Sequence, residues 1–345
     1  MILNRLLLKL SGIVSMTKYS IILPVRNGGE YVKECIHGIL AQQYTDFDLV
    51  VLDNNSSDGT IEWVKSINDS RIKLYCSNED LTIEENWHRI IAVPKNEYIT
   101  LIGHDDMLHP GYLLTMDELI NQHPSASLYQ THFNYIDSTG QIVRHCKPMA
   151  YIQYAHEFLD CQMNQTLDST GTGYIMRSRD YEIAGGISSA YPKLIFADYE
   201  LWMKLISKSY KVTSPATCFS YRLHNSTSRL TNGEDYQKAF GIYMLFLNQI
   251  KKDNIKMEEV IRGSGKKMLL YFCESLSHRL LKTPANIRET SVSSFINKCR
   301  EYARLLIPDQ SFRPLVRQGI LAAKLLDNKA GLSLFGLYKK LRPGK

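Results

Sequence analysis

The sequence lacks any run of eighteen apolar residues, so it predicts no membrane-spanning helix. Its seven cysteines are odd in number and scattered, and none belongs to a Cys-x-x-Cys pair. This usage argues against a disulfide framework and a structural zinc site, and it is typical of a protein in a reducing cytosol. Internal repeats and low-complexity segments are also lacking.

The composition is that of an ordinary globular protein, with 44% apolar and 22% charged residues among 345. That length is enough for one large domain with an appendage. A net charge of +6 permits attraction to phosphates or to an anionic membrane surface, but it does not indicate nucleic-acid binding. The first seventeen residues are apolar and basic and too short to span a membrane. They are interpreted as either a leader or an interfacial amphipathic segment.

Short β-prone runs alternate with helical patterns over the first part of the chain. Residues 20–25 predict a buried strand, and residues 30–43 follow with apolar side chains at helical spacing. Further strands are predicted at 47–52, 72–75 and 98–102. This alternation predicts an α/β fold with a nucleotide-binding, mostly parallel central sheet and flanking helices.

Two adjacent carboxylates, Asp105 and Asp106, follow the fourth predicted strand. In an open α/β sheet, ligands bind at the carboxyl ends of the strands. Carboxylates placed there suit a hard cation, Mg²⁺ or Mn²⁺, that is shared with substrate phosphates. The alternative is that the pair only caps a loop or the next helix.

Polar residues also follow the first two predicted strands. Asn27 comes after the first strand, and Asp53 ends the second. Right-handed crossovers would bring both residues and Asp105 to one edge of the sheet. An ionised Asp53 could accept hydrogen bonds from a nucleobase or ribose, or it could be an Asx-turn residue.

The sequence pattern changes near residue 230, after which helical spacing dominates. We therefore predict a leader or interfacial segment at 1–17, an α/β domain at 18–230 and a helical region at 231–345. The helical region is rich in Lys and Arg. Its charge indicates either a solvated face or a surface that docks on an anionic membrane or a partner.

Five motifs in order resemble those of the family 2 glycosyltransferases, which have the GT-A fold. The resemblance covers about residues 18–230 and does not extend to the C-terminal third. The sequence departs from the common family pattern at Gly103, where a carboxylate is usual, and at Ala197, where Glu is frequent. A subset of the family also has a small residue at the position of Gly103. The five motifs are Pro24-Val25-Arg26-Asn27, the polar turn from Asp53 to Thr60, Asp105-Asp106, Asp198-Tyr199-Glu200-Leu201-Trp202, and Tyr221-Arg222-Leu223-His224.

The resemblance implies roles for the matched residues. Asp198 corresponds to the catalytic base, and Asp105 to the ligand of Mn²⁺ or Mg²⁺. His224 is a candidate to complete the metal shell. The implied nucleotide-binding residues are Pro24, Arg26, Asn27, Asp53, Asn86 and Arg222.

Each implied role has a structural alternative. Asp198 could only cap the helix predicted at 199–207. The segment around Arg222 and His224 could be a plain surface loop instead of a lid that closes over a diphosphate.

Together, the motifs predict an inverting, metal-dependent glycosyltransferase. It would move a sugar from a nucleoside-diphosphate donor, with UDP favoured, to a saccharide or lipid-linked acceptor. We predict a cytoplasmic protein, with contact at the inner face of the membrane left open. The resemblance implies a role in bacterial cell-surface polysaccharide or lipopolysaccharide synthesis. Inversion requires one base for the acceptor hydroxyl and no enzyme nucleophile.

Two other functions remain open from the sequence. One is a non-catalytic nucleotide-sugar-binding or scaffold subunit. In such a protein, the departures from the family pattern at Gly103 and Ala197 would reflect a loss of catalytic activity. The other is a nucleotidyltransferase, which usually needs a glycine-rich, basic phosphate loop after the first strand. The segment at 26–29 matches such a loop poorly.

Overall fold

The computed structural model describes residues 17–223, 230–283, 287–328 and 330–332. Contacts divide the described chain into two compact units. The first unit contains the described residues up to Ile152, together with Thr170–Gly186 and Lys208–Leu223. The second contains Gln153–Ser169, Ile187–Ser207 and the described residues from 230 onward. The boundaries at 17 and 230 stay predictions, and residues 1–16 lie outside the described residues.

The first unit is built on a mixed sheet with helices. Its strands are β1 (Tyr19–Val25), β2 (Phe47–Asp53), β3 (Ile72–Cys76), β4 (Tyr98–Leu101), β5 (Met107–Leu108), β6 (Leu128–Ile136), β7 (Ile142–His145), β8 (Ile152–Gln153), β9 (Tyr174–Arg177) and β10 (Lys211–Arg222). Its helices are α1 (Gly29–Leu40), α2 (Thr60–Ser66), α3 (Ile83–His88), α4 (Tyr112–Gln122) and α6 (Ser178–Ile183).

The strand order is β3-β2-β1-β4-β9-β6-β10-β5, with β7 beside β6 and β8 beside β10. The first four strands in this order are parallel, and β6 is parallel to β10, whereas β9 and β5 are antiparallel to their neighbours. The predicted α/β class with a mostly parallel central sheet is confirmed. Its helices follow the predicted spacing, and in α1 this spacing buries Val32, Cys35, Ile36 and Ile39.

Strand register brings the predicted polar residues to one sheet edge. Val25, the last residue of β1, lies opposite Asp53, the last residue of β2. On the other side of β1, Ile22 lies opposite Leu101, the last residue of β4. The loops that follow β1, β2 and β4 therefore leave the sheet at the same edge.

The second unit is helical. It contains α5 (Ala155–Asn164), α7 (Ala197–Ile206), α8 (Gly233–Asp253), α9 (Ile255–Lys282), α10 (Val292–Leu306) and α11 (Gln318–Leu326). Helix α8 is capped by Asn232, α9 by Asn254 and α10 by Ser291, each of which accepts a backbone N–H in the first turn.

The core of the second unit includes Phe240, whose ring centroid lies 5.0 Å from that of Phe272 and 5.9 Å from that of Tyr302. Among the described residues of both units, no helix is long and apolar enough to cross a membrane.

Candidate functional site

The loops after β1 and β2 are joined by reciprocal hydrogen bonds. The Asn27 backbone N–H donates to Ser56 Oγ at 2.9 Å, and the Ser57 N–H donates to Asn27 Oδ1 at 2.9 Å. The Gly29 N–H donates to Asp58 Oδ2 at 3.0 Å. Asn27 has a left-handed φ of 50°, which an Asn tolerates better than most residues. These hydrogen bonds fix the two loops relative to each other at the sheet edge.

Asp53 is almost fully buried at the end of β2, with 2% of its surface exposed. The Ser56 N–H lies 3.3 Å from each carboxylate oxygen. This contact, to the residue three positions on, stabilises the turn after β2 and is one residue longer than the Asx-turn considered from the sequence. A carboxylate has about four acceptor sites, so the contact is compatible with further hydrogen bonds from a nucleoside.

Asn86 is buried next to the end of β2 and accepts a hydrogen bond from Arg89. Arg89 Nη1 donates to Asn86 Oδ1 at 2.9 Å and to the Asp53 carbonyl at 2.8 Å, while Nη2 donates to the Tyr75 carbonyl at 3.0 Å. Arg89 was not among the site residues predicted from the sequence. Its position three residues after Asn86 in a helical pattern was the available signal, because residues i and i+3 share a helix face. The hydrogen bonds of Arg89 therefore hold the Asp53 backbone in place.

The two remaining residues predicted after β1 differ in exposure. Pro24 is buried inside β1, in register with Leu52. Arg26 is exposed, and its Nη2 lies 2.6 Å from Asp80 Oδ2. Asn55 also donates to Asp80, at 2.9 Å. A surface ion pair of this kind contributes little to stability, so a ligand phosphate or base could compete for Arg26.

The turn after β4 gives the two adjacent carboxylates different environments. Asp106 is 2% exposed; Thr172 Oγ1 donates to its Oδ2 at 2.8 Å, and the Arg222 N–H donates to its Oδ1 at 3.0 Å. Burial, reinforced by the charge of Asp105, raises the pKa of Asp106 well above its ordinary value. Asp105 keeps part of its surface exposed. Asp106 is therefore built into the turn, and Asp105 is the member of the pair that solvent can reach.

Arg222, at the end of β10, is only 1% exposed in its side chain. Its Nε donates to the Asp105 carbonyl at 2.8 Å, and its Nη2 donates to Glu34 Oε2 at 2.6 Å. Its Nη1 lies 3.2 Å from the Asp137 carbonyl, and the guanidinium carbon lies 4.6 Å from the centroid of the Tyr31 ring. The structure therefore places Arg222 among protein acceptors that hold the Asp105 turn.

A side chain at Gly103 would crowd the carboxylates of Asp105 and Asp106. A Cβ there would lie 2.7 Å from Asp105 Oδ1 and 3.1 Å from Asp106 Oδ2. Within the described ranges, no cluster of three His, Cys, Asp or Glu side chains could hold a metal ion. One reachable carboxylate fits a hard cation that takes its other oxygen ligands from a substrate diphosphate and water. His224, the second predicted ligand, lies outside the described residues.

Asp198 lies in the first turn of α7, in the second unit. The helix begins at Ala197 and its N-cap is Phe196, which makes no side-chain capping bond. The predicted start at 199, with Asp198 as the cap, is therefore wrong by two residues. Asp198 retains some exposed surface but is enclosed by protein on most sides, and this burial raises its pKa to about 6. Its own N–H and that of Tyr199 act in the opposite direction and favour the carboxylate.

An aromatic cluster surrounds the start of α7. The Phe196 ring stacks on Tyr243 at 5.4 Å between centroids, and Tyr199 contacts Tyr243 edge-on at 5.8 Å. Burial raises the pKa of Tyr243 and of Tyr236, and the charge of Asp198 adds to both shifts. These shifts show that the carboxylate and the tyrosines share one weakly solvated environment.

The structure thus brings most of the predicted residues to one unit and one edge. Pro24, Arg26, Asn27, Asp53, Asn86, Asp105 and Arg222 all belong to the first unit, in or beside the segments that follow β1, β2, β4 and β10. Asp198 belongs to the second unit.

Comparison with known proteins identifies the same family as the motifs. Residues 20–183 match the model of glycosyl transferase family 2. An uncharacterized glycosyltransferase of Rickettsia typhi is 24% identical over 264 residues, which is 72% of this chain and 77% of the relative. A similar protein of Rickettsia conorii is 24% identical over 70% of this chain, but the match spans only 40% of that relative. Glycosyltransferase GlyG of Streptococcus pneumoniae is 25% identical over 35% of this chain and 41% of its own length.

Solved structures share the fold at low sequence identity. Residues 1–349 of S. aureus TarS, crystallised with UDP-GlcNAc, superpose with a TM-score of 0.66 and 14% identity, covering 94% of this chain and 92% of TarS 1–349. The mannosyltransferase PcManGT of Pyrobaculum calidifontis, in complex with GDP-Man and Mn²⁺, superposes with a TM-score of 0.51 and 11% identity, covering 95% and 88%. The family match over residues 20–183, the glycosyltransferase relatives and the shared fold agree with the five motifs, and together they support a glycosyltransferase of family 2 with a GT-A type fold.

Proposed function

We propose that the protein transfers a sugar, with inversion, from a nucleoside-diphosphate donor to a saccharide or lipid-linked saccharide. The observation that carries this proposal is the shared sheet edge, where Asp53 ends β2 and the reachable carboxylate of Asp105 follows β4. Ligands of open α/β sheets bind at such edges. A nucleoside needs hydrogen-bond acceptors, and a diphosphate needs a bound cation.

The donor is proposed to be a UDP-sugar. TarS, which has the higher TM-score of the two solved neighbours, was crystallised with UDP-GlcNAc, whereas PcManGT was crystallised with GDP-Man. Asp53 accepts hydrogen bonds from the nucleoside. Pro24, near the end of β1, and the joined loops with Arg26 and Asn27 form the adjacent wall. Asn86 and Arg222 support the site indirectly, because their polar groups bind backbone carbonyls of the segments that form it.

Asp105 holds the cation, Mn²⁺ or Mg²⁺, with His224 as a candidate second ligand. When bound, the cation offsets the negative charge that develops on the departing diphosphate. Arg222 and Asp106 keep the Asp105 turn in place through the Asp105 carbonyl and the Arg222 N–H.

Asp198 takes the proton of the acceptor hydroxyl. As the hydroxyl oxygen forms a bond to the anomeric carbon, the bond from that carbon to the diphosphate breaks on the opposite face. A pKa of about 6 leaves the carboxylate about ten parts ionised to one part protonated at pH 7. The same shift makes it a stronger base than an ordinary aspartate.

The pathway is proposed to be bacterial cell-surface polysaccharide or lipopolysaccharide synthesis, with the protein working in the cytoplasm at the inner face of the membrane. The bacterial relatives and the basic C-terminal region support this setting.

Thermal unfolding in the presence of nucleotides tests the donor site. Ligands that bind only the folded state raise the unfolding midpoint. UDP or a UDP-sugar with Mn²⁺ should raise it, and the shift should disappear in Asp105→Ala. Asp46→Ala, which removes an exposed carboxylate elsewhere in the first unit, is the matched control and should keep the shift.

Transfer to a set of saccharide acceptors then separates the two open functions. The proposal predicts that the wild-type protein transfers sugar and that Asp198→Asn does not, although it still shows the nucleotide shift. Absence of any nucleotide shift would contradict the donor site. Nucleotide binding without transfer to any acceptor would favour the scaffold subunit.

A further inference from the structure

The positive charge of the chain is concentrated at one end of the sequence. Residues 311–345 contain eight Lys and Arg and a single acidic residue, Asp327, whereas the preceding 310 residues contain 33 Lys and Arg and 34 Asp and Glu. The overall charge of +6 therefore comes from this segment. A compact basic block next to apolar residues is typical of a segment that is attracted to an anionic surface.

The side chain of the one acidic residue of this basic segment, residues 311–345, is bound by other residues of the second unit. Asp327 pairs with Arg288 and accepts the Val292 N–H, and its side chain is only 7% exposed. Its charge is thus neutralised within the protein. Arg313 and Lys324 are exposed, while Arg317 pairs with Glu274 at 2.9 Å.

Helix α11, within this block, buries one face and exposes an apolar one. Ile320 and Ala323 are fully buried. Leu321 and Leu325, one turn apart on another face, are 41% and 67% exposed, and Val316 in the preceding turn is 79% exposed. Large exposed apolar side chains beside exposed Lys and Arg are the pattern of a helix that lies in a membrane interface.

We propose that Val316, Leu321 and Leu325, together with the basic residues around them, form a docking surface for an anionic lipid membrane. The apolar side chains enter the interface, and Arg313 and Lys324 lie among the lipid phosphates. Charge complementarity selects this occupant: a second copy of the chain would place two strongly basic segments against each other, which opposes association.

This inference deepens the membrane contact of the proposed function, but it does not depend on sugar transfer. Its test measures binding to vesicles without donor or acceptor. Failure of one proposal can therefore be distinguished from failure of the other.

Co-sedimentation of the full chain with vesicles is the first experiment. We expect binding to phosphatidylcholine vesicles that contain about a third phosphatidylglycerol, little binding to pure phosphatidylcholine, and an at least tenfold weaker partition coefficient in about 0.5 M salt than in 0.1 M. Equal binding to both kinds of vesicle, or binding to neither, would overturn the proposal.

A matched pair of double variants locates the surface. Leu321→Glu/Leu325→Glu should lower the partition coefficient at least tenfold. Leu245→Glu/Ile255→Glu changes two side chains of similar exposure, 61% and 68%, elsewhere in the second unit and adds the same charge, so it should bind like the wild type. Equal loss in both variants, or full binding by the first, would show that α11 is not the docking surface.

A fluorescent variant keeps the proposal testable if the charged variants fail to fold. In Leu325→Trp, the added indole replaces an exposed side chain, and its emission is the difference between the spectra of the variant and of the wild type, which has three tryptophans. This emission should shift to shorter wavelength with vesicles that contain phosphatidylglycerol but not with pure phosphatidylcholine vesicles. An emission already blue-shifted without vesicles, and unchanged by them, would mean that another part of the chain covers this face, and the proposal would be wrong.

Discussion

The buried guanidinium of Arg222 and the half-exposed carboxylate of Glu34 form an ion pair at 2.6 Å, across 188 residues of sequence. The same guanidinium binds the carbonyl of Asp105. The ion pair therefore connects α1 to the turn that contains the proposed metal ligand.

Removing the charge of Arg222 should cost more than removing that of Glu34. Arg222→Met removes a buried guanidinium donor from the carbonyls of Asp105, Asp137 and Ser138, and we expect a loss of about 2–4 kcal/mol in the free energy of unfolding. Glu34→Gln changes a half-exposed partner and should cost less than about 1 kcal/mol. Urea unfolding measures both changes. Equal losses would mean that the pair, and not the carbonyl contacts, stabilises the turn.

The two carboxylates after β4 should respond oppositely to truncation. Asp106→Ala leaves the Thr172 hydroxyl and the Arg222 N–H unpaired in a buried site, which should cost about 2–4 kcal/mol of stability. Asp105→Ala should change stability by less than about 1 kcal/mol, yet abolish the Mn²⁺-dependent nucleotide shift. Unfolding and nucleotide titration of the same two variants check both expectations. If Asp106→Ala is stable but does not bind nucleotide, Asp106 is the metal ligand and Asp105 the structural carboxylate.

Restoring the carboxylate that is common in the family at position 103 should impair this protein. The Cβ of Gly103→Asp would lie 2.7 Å from Asp105 Oδ1, so the Asp105 side chain must move. We expect Mn²⁺ binding, measured by equilibrium dialysis with UDP, to weaken at least tenfold. Gly263→Asp, at a helical glycine with open space around its Cβ position, is the control. Tighter Mn²⁺ binding by Gly103→Asp would show that the turn accommodates a second carboxylate.

Transfer should depend on pH through Asp198. Because a base must be ionised, kcat/KM should rise about tenfold per pH unit below about pH 6 and level off above it. A profile that stays flat down to pH 5 would exclude Asp198 as the base.

The raised pKa of Asp198 also predicts the direction in which the free energy of unfolding changes with pH. Between its ordinary pKa and about 6, the folded protein holds a proton that the unfolded chain releases, so stability falls as pH rises through this window. Asp198→Asn has no such proton. Its stability advantage over the wild type should grow from about pH 4 to pH 6 and then stay constant, as urea unfolding at several pH values would show.

Much of the fold was predictable because its signals are local. The short apolar runs and the helical spacing of residues 20–122 predicted β1 to β4 and the helices between them, with ends within a few residues for most of them. One exception is the helical pattern of residues 83–93, which predicts a single helix, whereas α3 ends at His88 and a 3₁₀ turn, Arg89–Ile91, follows. Another is the apolar pattern of residues 216–221, which predicts a strand, whereas β10 begins at Lys211. The irregularity around Ser214–Thr217 hides the alternation of the earlier residues.

The sequence by itself indicated the family and determined the class of fold and the polar residues at the strand ends, because apolar runs, helix spacing and motif order are properties of neighbouring residues. Only the tertiary structure decided which of Asp105 and Asp106 is reachable, and that Arg222 faces protein carbonyls. Those outcomes depend on burial and on hydrogen bonds between residues 66 to 188 positions apart, which no local pattern encodes.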